Sequence, residues 1–228
     1  MTLNVNSTEM SLVYANDTRM SVVNVNDTEV YRAENGNVTL VYTGSPNGTF
    51  SPGIEDLNRH FVVVGTRFSG SALSNPTTPT INGTSMTLIT RGNSTDYDDG
   101  GITGIYTIKI PTGTGSFTIA QGGTAFVGVA IYRVTGIYSM TSPLSQNSSS
   151  NSITGSQTSS ANGCFFGASV SNFATPAYPS PNSSGLLYDV GSNQGRMAAS
   201  NTTTGPTQTV SLTGNQVNSF AIFGYDLY

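Results

Sequence analysis

The one acidic cluster of the chain is Asp96-Tyr97-Asp98-Asp99-Gly100. Asp96, Asp98 and Asp99 have the spacing that lets carboxylates on a turn converge on one calcium ion. No Glu downstream closes the coordination shell, so the plainer reading is an exposed acidic turn, with calcium as the alternative. A glycosidase needs two carboxylates across a cleft. Glu55 and Asp56, or Asp96 and Asp98, could be invoked, yet the chain has only 12 carboxylates and no motif pairs them. The single histidine, His60, excludes a His-rich metal site. It precedes the apolar run Phe61-Val62-Val63-Val64 and reads as a strand-end residue. The single cysteine, Cys164, lies beside Phe165 and Phe166 and reads as a small buried hydrophobe rather than a nucleophile. One cysteine allows no intrachain disulfide. GxSxG, P-loop, HExxH and paired CxxC motifs do not occur. No catalytic residue and no cofactor is assigned, and no enzyme is expected.

The composition narrows the partners. Asp, Glu, Lys and Arg make up 9% of the 228 residues, against about 25% in an ordinary domain. Lys109 is the only lysine and the arginines are scattered, so no basic surface for nucleic acid is expected. Solubility must come from Ser, Thr, Asn and backbone amides. Repeated β-branched and aromatic runs argue against disorder. The first residues lack the basic and apolar regions of a secretory signal, and no run is long enough to span a membrane. Asn-x-Ser/Thr triplets at Asn6, Asn16, Asn26, Asn37, Asn47, Asn82, Asn93, Asn147, Asn182 and Asn201 read as turn chemistry, since Asn tolerates φ > 0 and Thr then enters a strand. There are 11 Tyr and no Trp. Tyr106, Tyr132 and Tyr138 read as half-buried strand residues, which leaves a free carbohydrate-binding protein as an outside possibility.

The elements are β throughout. Asn6-Ser7-Thr8 returns as Asn16-Asp17-Thr18 and Asn26-Asp27-Thr28, a ten-residue repeat of strand plus turn. One such unit cannot bury a core, and three make a marginal meander. Its apolar phases need a partner: the main domain, a sister chain or another protein. Sister chains or a larger assembly are favoured, with Met10, Leu12, Met20, Val22 and Val30 as the assembly contacts. Arg19 and Glu29 hold equivalent repeat positions and could pair between strands. Residues 1–53 are read as this arm, a fourth strand and a linker. Residues 54–228 carry ten candidate strands, at 61–68, 85–90, 104–110, 116–120, 125–134, 164–170, 185–189, 196–200, 208–212 and 219–225, with at most a turn near 54–59. The fold expected is all-β: an antiparallel β-sandwich, jelly-roll-like, preceded by a short β-repeat N-terminal arm. Residues 125–134 are apolar on both faces and mark a central or interface strand. The Ser/Asn-rich stretch 142–163 is read as a long surface loop. The arm makes a homo-oligomer, a homotrimer, the expected state.

Residues 80–136 carry an Ile81-Asn82-Gly83 turn, a strand and a Gly-rich loop, then Pro111-Thr112-Gly113-Thr114 and a strand ending Tyr132-Arg133-Val134-Thr135-Gly136. That pattern resembles a β-sandwich module of tailed-bacteriophage virion proteins, and the Asn-Asp-Thr-Glu-Val phrase near the start is similar to openings of phage accessory proteins. The resemblance covers about half the chain and contains no catalytic signature. It implies a structural component of the virion with other virion proteins, capsid or tail, as partners. A single compact sandwich favours a capsid decoration or cement protein. A tail-fibre or receptor-binding protein is the alternative.

Overall fold

The computed structural model describes residues 14–15, 18–19, 22–25, 28–32, 36–69, 74–94, 100–140, 142–147, 152–158, 163–171, 180–181, 185–191, 195–201, 207–213 and 217–227. The chain is all-β, with antiparallel strand pairs and no helix among these residues. Among the described residues there is thus no helix long and apolar enough to cross a membrane.

The arm contributes two hairpins. β1 (Tyr14–Ala15) pairs with β2 (Thr18–Arg19), and β3 (Val22–Val25) with β4 (Thr28–Arg32). Ala15 faces Thr18 and Val25 faces Thr28, so the Thr of each Asn-Asp-Thr phrase opens the returning strand. The ten-residue period is thus the distance between reversals. A register shift between Val23 and Asn24 leaves Val30 as the extra residue of a bulge. Arg19 faces Tyr14 and Glu29 faces Asn24, so these registers do not oppose the two charges. Neither hairpin pairs with a sheet of the body among the described residues.

The body begins earlier than its apolar runs suggest. Its first half holds β5 (Asn37–Gly44), β6 (Gly48–Phe50), β7 (His60–Ser69), β8 (Thr80–Ile81), β9 (Thr84–Ser85), β10 (Thr87–Ser94), β11 (Gly100–Lys109), β12 (Phe117–Ala120) and β13 (Gly128–Thr135). Strands β10-β11-β7-β13-β5 form the middle sheet, and β6-β12-β8-β9 form a smaller sheet. Residues 37–50, grouped with arm and linker in the sequence, therefore belong to the stack: β5 joins β13 over seven residue pairs, and β6 joins β12.

The second half holds β14 (Ile137–Met140), β15 (Leu144–Asn147), β16 (Ser152–Thr158), β17 (Cys164–Ser171), β18 (Ser180–Pro181), β19 (Gly185–Gly191), β20 (Gly195–Asn201), β21 (Thr207–Thr213) and β22 (Val217–Leu227). Strands β14-β22-β17-β20-β19 form a third sheet, with β15 also on β22, and β16-β21-β18 form a three-stranded sheet. The stretch 142–163 is not a plain loop, because β15 and β16 lie in it. Ser and Thr suit a strand whose faces both tolerate polar groups, but they leave no apolar alternation to read.

The layers follow from alternation. Phe61 and Val63 point to one face of β7, Val62 and Val64 to the other. The first face packs with Ile102, Tyr106, Val129 and Ile131 against Phe50, Ile81, Phe117 and Ile119 of the small sheet. The second packs with Ile105, Ala130, Tyr132 and Val134 against Cys164, Phe166, Ala168, Phe223 and Tyr225 of the third sheet. The middle sheet is covered on both faces, which is why FVVV runs apolar without a break and GVAIYRV is interrupted only by Arg133. Tyr106 and Tyr132 are fully buried rather than half-buried. Two hydroxyl contacts stitch the second interface, Thr107 Oγ1 to Tyr225 Oη at 2.8 Å and Ser219 Oγ to Thr103 Oγ1 at 3.4 Å.

Several sheet edges resist further pairing, although β16 is a seven-residue edge in unbroken register with β21. Register shifts interrupt β5, β10, β14 and β19, each an edge strand of its sheet, and β6 and β9 span only 3 and 2 residues. Bulged or short edges are poor templates for another strand.

Candidate functional site

The most elaborate polar construction lies where loop 51–59 meets loop 110–116. Arg59 is fully buried. Its five N–H groups all find backbone carbonyls. Nε donates to Ile110 at 2.8 Å. Nη1 donates to Gly53 at 3.3 Å and Ile54 at 2.8 Å. Nη2 donates to Thr112 at 2.7 Å and Gly113 at 2.9 Å. The planar fork suits this task, since its donors radiate in one plane at fixed angles. The guanidinium also sits 5.4 Å from the ring centroids of both Phe61 and Phe117. Burial lowers its pKa from the usual arginine value, and the Glu55 carboxylate partly offsets this. It remains a cation at neutral pH.

Backbone bonds complete the brace. Asp56 N–H donates to Pro111 at 3.1 Å, Ile110 N–H to Arg59 at 3.1 Å, and Arg59 N–H closes a turn on Asp56 at 3.0 Å. The Glu55 carboxylate accepts from Gly113 N–H, and Asp56 Oδ1 accepts from Asn58 N–H at 2.6 Å. The turn expected near 54–59 is therefore present. Glu55 is engaged with the facing loop and Asp56 with its own, and no opposed pair across a cleft is built from them. Two large exposed apolar side chains flank the carboxylates in the sequence: Ile54 is 75% exposed and Leu57 81% exposed. Gly53, at φ +74°, lies so close to Arg133 that a Cβ would meet its Nη1.

A second polar network closes the other side of the small sheet. Buried Gln121 accepts from Phe126 N–H at 2.9 Å and donates to the Thr77 carbonyl. Asn47 Oδ1 accepts from Gln121 N–H at 3.0 Å, and Asn82 Oδ1 accepts from Thr118 N–H at 2.8 Å. Two of the Asn-x-Thr triplets thus use their amides to finish the hydrogen bonding at β12. Asn82 also takes φ 50°, beside Gly83 at φ 77°, in the turn joining β8 to β9. The Phe126 ring fixed by this network covers Gly65 and Gly104, which face each other across β7 and β11.

The residues singled out for chemistry are distributed as follows. Cys164 is buried in the core between the middle and third sheets, the small-hydrophobe reading. His60 is the first residue of β7, its Nδ1 2.9 Å from the Asn58 carbonyl and its ring 6.1 Å from that of Tyr225. Burial lowers the His60 pKa, helped by Lys109 and opposed by Asp56. Burial likewise pushes the Tyr225 hydroxyl up to about 12. Asp96, Asp98 and Asp99 lie outside the described residues, as do Met10, Leu12 and Met20. Val22 and Val30 are placed on β3 and β4 by backbone alone. No group of three His, Cys, Asp or Glu among the described residues could hold a metal ion. Sequence reasoning missed Arg59 and Gln121. The only signal for Arg59 was a cation directly beside a buried strand.

No family model matches the chain, and neither does any curated protein or solved structure.

Proposed function

We propose that this chain is a structural component of a bacteriophage virion, a capsid decoration or cement protein that works as a homotrimer and performs no catalysis. The observation that carries the reading is the arm. Its hairpins reverse on the Asn-Asp-Thr phrases and, among the described residues, join none of the body's sheets. A β-element of that size buries little by itself, so its stability is to be found on another molecule. The body supports the same reading: the edges of its middle sheet are bulged, and its buried arginine braces loops by binding only backbone carbonyls. With charge at 9%, attachment rests on strand pairing and apolar burial rather than on long-range fields.

Antibody labelling of particles in the electron microscope tests the role. Hundreds of copies over the shell are expected. A handful to a few dozen at the tail would transfer the protein to the tail-fibre or receptor-binding class, and unlabelled particles would refute a virion role. Deleting residues 1–33 should abolish labelling while the body stays folded. Attachment should survive about 1 M salt, because screening at that ionic strength acts within about 3 Å, and should fail on Met20→Asp or Val22→Asp.

A further inference from the structure

The chain has four Asn-Gly pairs, and the described residues hold two of them entire, Asn47-Gly48 and Asn82-Gly83. An asparagine before glycine is open to attack by the next backbone nitrogen, because glycine has no side chain to hinder the approach. The fold treats the two pairs oppositely. Asn47 is held at both ends of its amide: Oδ1 accepts from Gln121 N–H at 3.0 Å, and Nδ2 donates to the Gln121 carbonyl at 3.5 Å. Gly48 opens β6 opposite Ile119 of β12, and a Cβ on it would run into the Tyr42 hydroxyl. Asn82 is exposed at the tip of the β8–β9 hairpin, where Ile81 faces Thr84 across a two-residue loop. With φ 50° at Asn82 and 77° at Gly83, the loop is a type I′ turn. Asn82 Oδ1 accepts from Thr118 N–H at 2.8 Å, and its Nδ2 donates to nothing among the described residues. A Cβ on Gly83 would meet nothing within 4 Å.

We propose that Asn82 is a self-modification site, at which the folded chain deamidates through a cyclic imide closed on Gly83. Gly83 N gives its proton to solvent and bonds to Asn82 Cγ. The Cγ–Nδ2 bond breaks, and Nδ2 takes up a proton and leaves as ammonia. Water then opens the imide at either carbonyl, giving aspartate or isoaspartate, so the net exchange is OH for NH2. Three features of the turn favour closure. First, a planar ring brings Gly83 N into line with Asn82 Cβ, which sets ψ of Asn82 at about −120°, the value of a type II′ turn. Passing from I′ to II′ takes one flip of the peptide between the two residues, and both turns suit a hairpin. The flip carries φ of residue 83 from positive to negative, which glycine does freely, and the space around Gly83 is open. Second, the attack places negative charge on Oδ1, and Thr118 N–H already donates to that atom, so the tetrahedral intermediate is met by a preset donor. Third, the leaving Nδ2 has no protein partner to give up among the described residues. At Asn47 the same step must first break both contacts with Gln121 and twist Gly48 out of its pairing with β12.

Peptide mass spectrometry on the full chain, held in mildly alkaline buffer, tests this. The peptide containing Asn82 should gain the mass of the NH2-to-OH exchange about tenfold faster than the peptide containing Asn47, because losing two hydrogen bonds slows the latter by at least that factor. An isoaspartate-specific methyltransferase should label residue 82 in the converted chain. In concentrated urea, where neither turn survives, the two rates should converge. That arm separates what the fold contributes from the reactivity common to Asn-Gly pairs. Equal rates in the folded chain, faster conversion at Asn47, or conversion of Asn82 in urea alone would overturn the proposal. So would a ratio of rates that urea leaves unchanged, since neighbouring residues rather than the turn would then set it. The measurement uses the isolated chain, and its outcome is independent of any role on a virion.

Discussion

Replacing Arg59 by methionine keeps much of the aliphatic stem and removes every donor. Five carbonyls, those of Gly53, Ile54, Ile110, Thr112 and Gly113, then lose their partner together. A hydrogen bond from a charged donor contributes about 1.5–3 kcal/mol, but these five share one cation and do not add. The desolvation of that cation, expressed in its lowered pKa, offsets part of the sum. The stacking on Phe61 and Phe117 adds about 1–2 kcal/mol. Breaking a buried charged network by removing one member costs about 3–5 kcal/mol, and the loss expected for Arg59→Met lies in that range. It is a large part of a total of about 5–15 kcal/mol. Arg59→Lys should cost nearly as much, because three donors on one nitrogen cannot reach carbonyls disposed around a planar fork. Urea unfolding measures it: the midpoint should fall with an unchanged slope. Limited proteolysis should show new cleavage within 51–58. A loss below about 1 kcal/mol with the loop still protected would mean that the backbone bonds and the Glu55–Gly113 contact hold the loop without the guanidinium.

Gly65→Ala and Gly104→Ala should each destabilise by about 2–3 kcal/mol, since the new methyl would lie 2.4 Å and 2.7 Å from the Phe126 ring. In a double-mutant cycle with Phe126→Ala the losses should fall well short of additive, which thermal melts will show. Tyr225 has a raised pKa of about 12 against 10.0, so its share of stability is intact below pH 10 and lost as pH climbs to about 12, by about 2–3 kcal/mol. Tyr225→Phe should flatten that alkaline slope of unfolding free energy by about one proton. His60 has a lowered pKa, so its contribution is present above pH 6.5 and lost on acidification. His60→Gln should remove that dependence, read from urea midpoints between pH 5 and pH 7.

All ten strands expected from apolar runs between 61 and 225 coincide with strands of the structure. Alternation and continuous apolar runs are local signals, and the need to bury them is enough to specify β-structure. The double-sided apolar pattern at 125–134, which marked a central or interface strand, falls on β13, paired on both sides by β7 and β5. The arm's period was legible for the same reason: Asn-Asp-Thr recurs where the chain reverses. The strands β15 and β16, which pair with β22 and β21, were not legible, because their Ser, Thr, Gln and Asn residues leave no apolar alternation to read. Arg59 shows the limit most plainly. Its partners are 5 to 6 residues away on one side and 51 to 54 away on the other, and a carbonyl belongs to every residue and marks none. In the sequence Arg59 is one cation among scattered others. Only the approach of loop 110–116 to loop 51–59, enforced by the small sheet over Phe61 and Phe117, turns it into the brace of an exposed apolar tip.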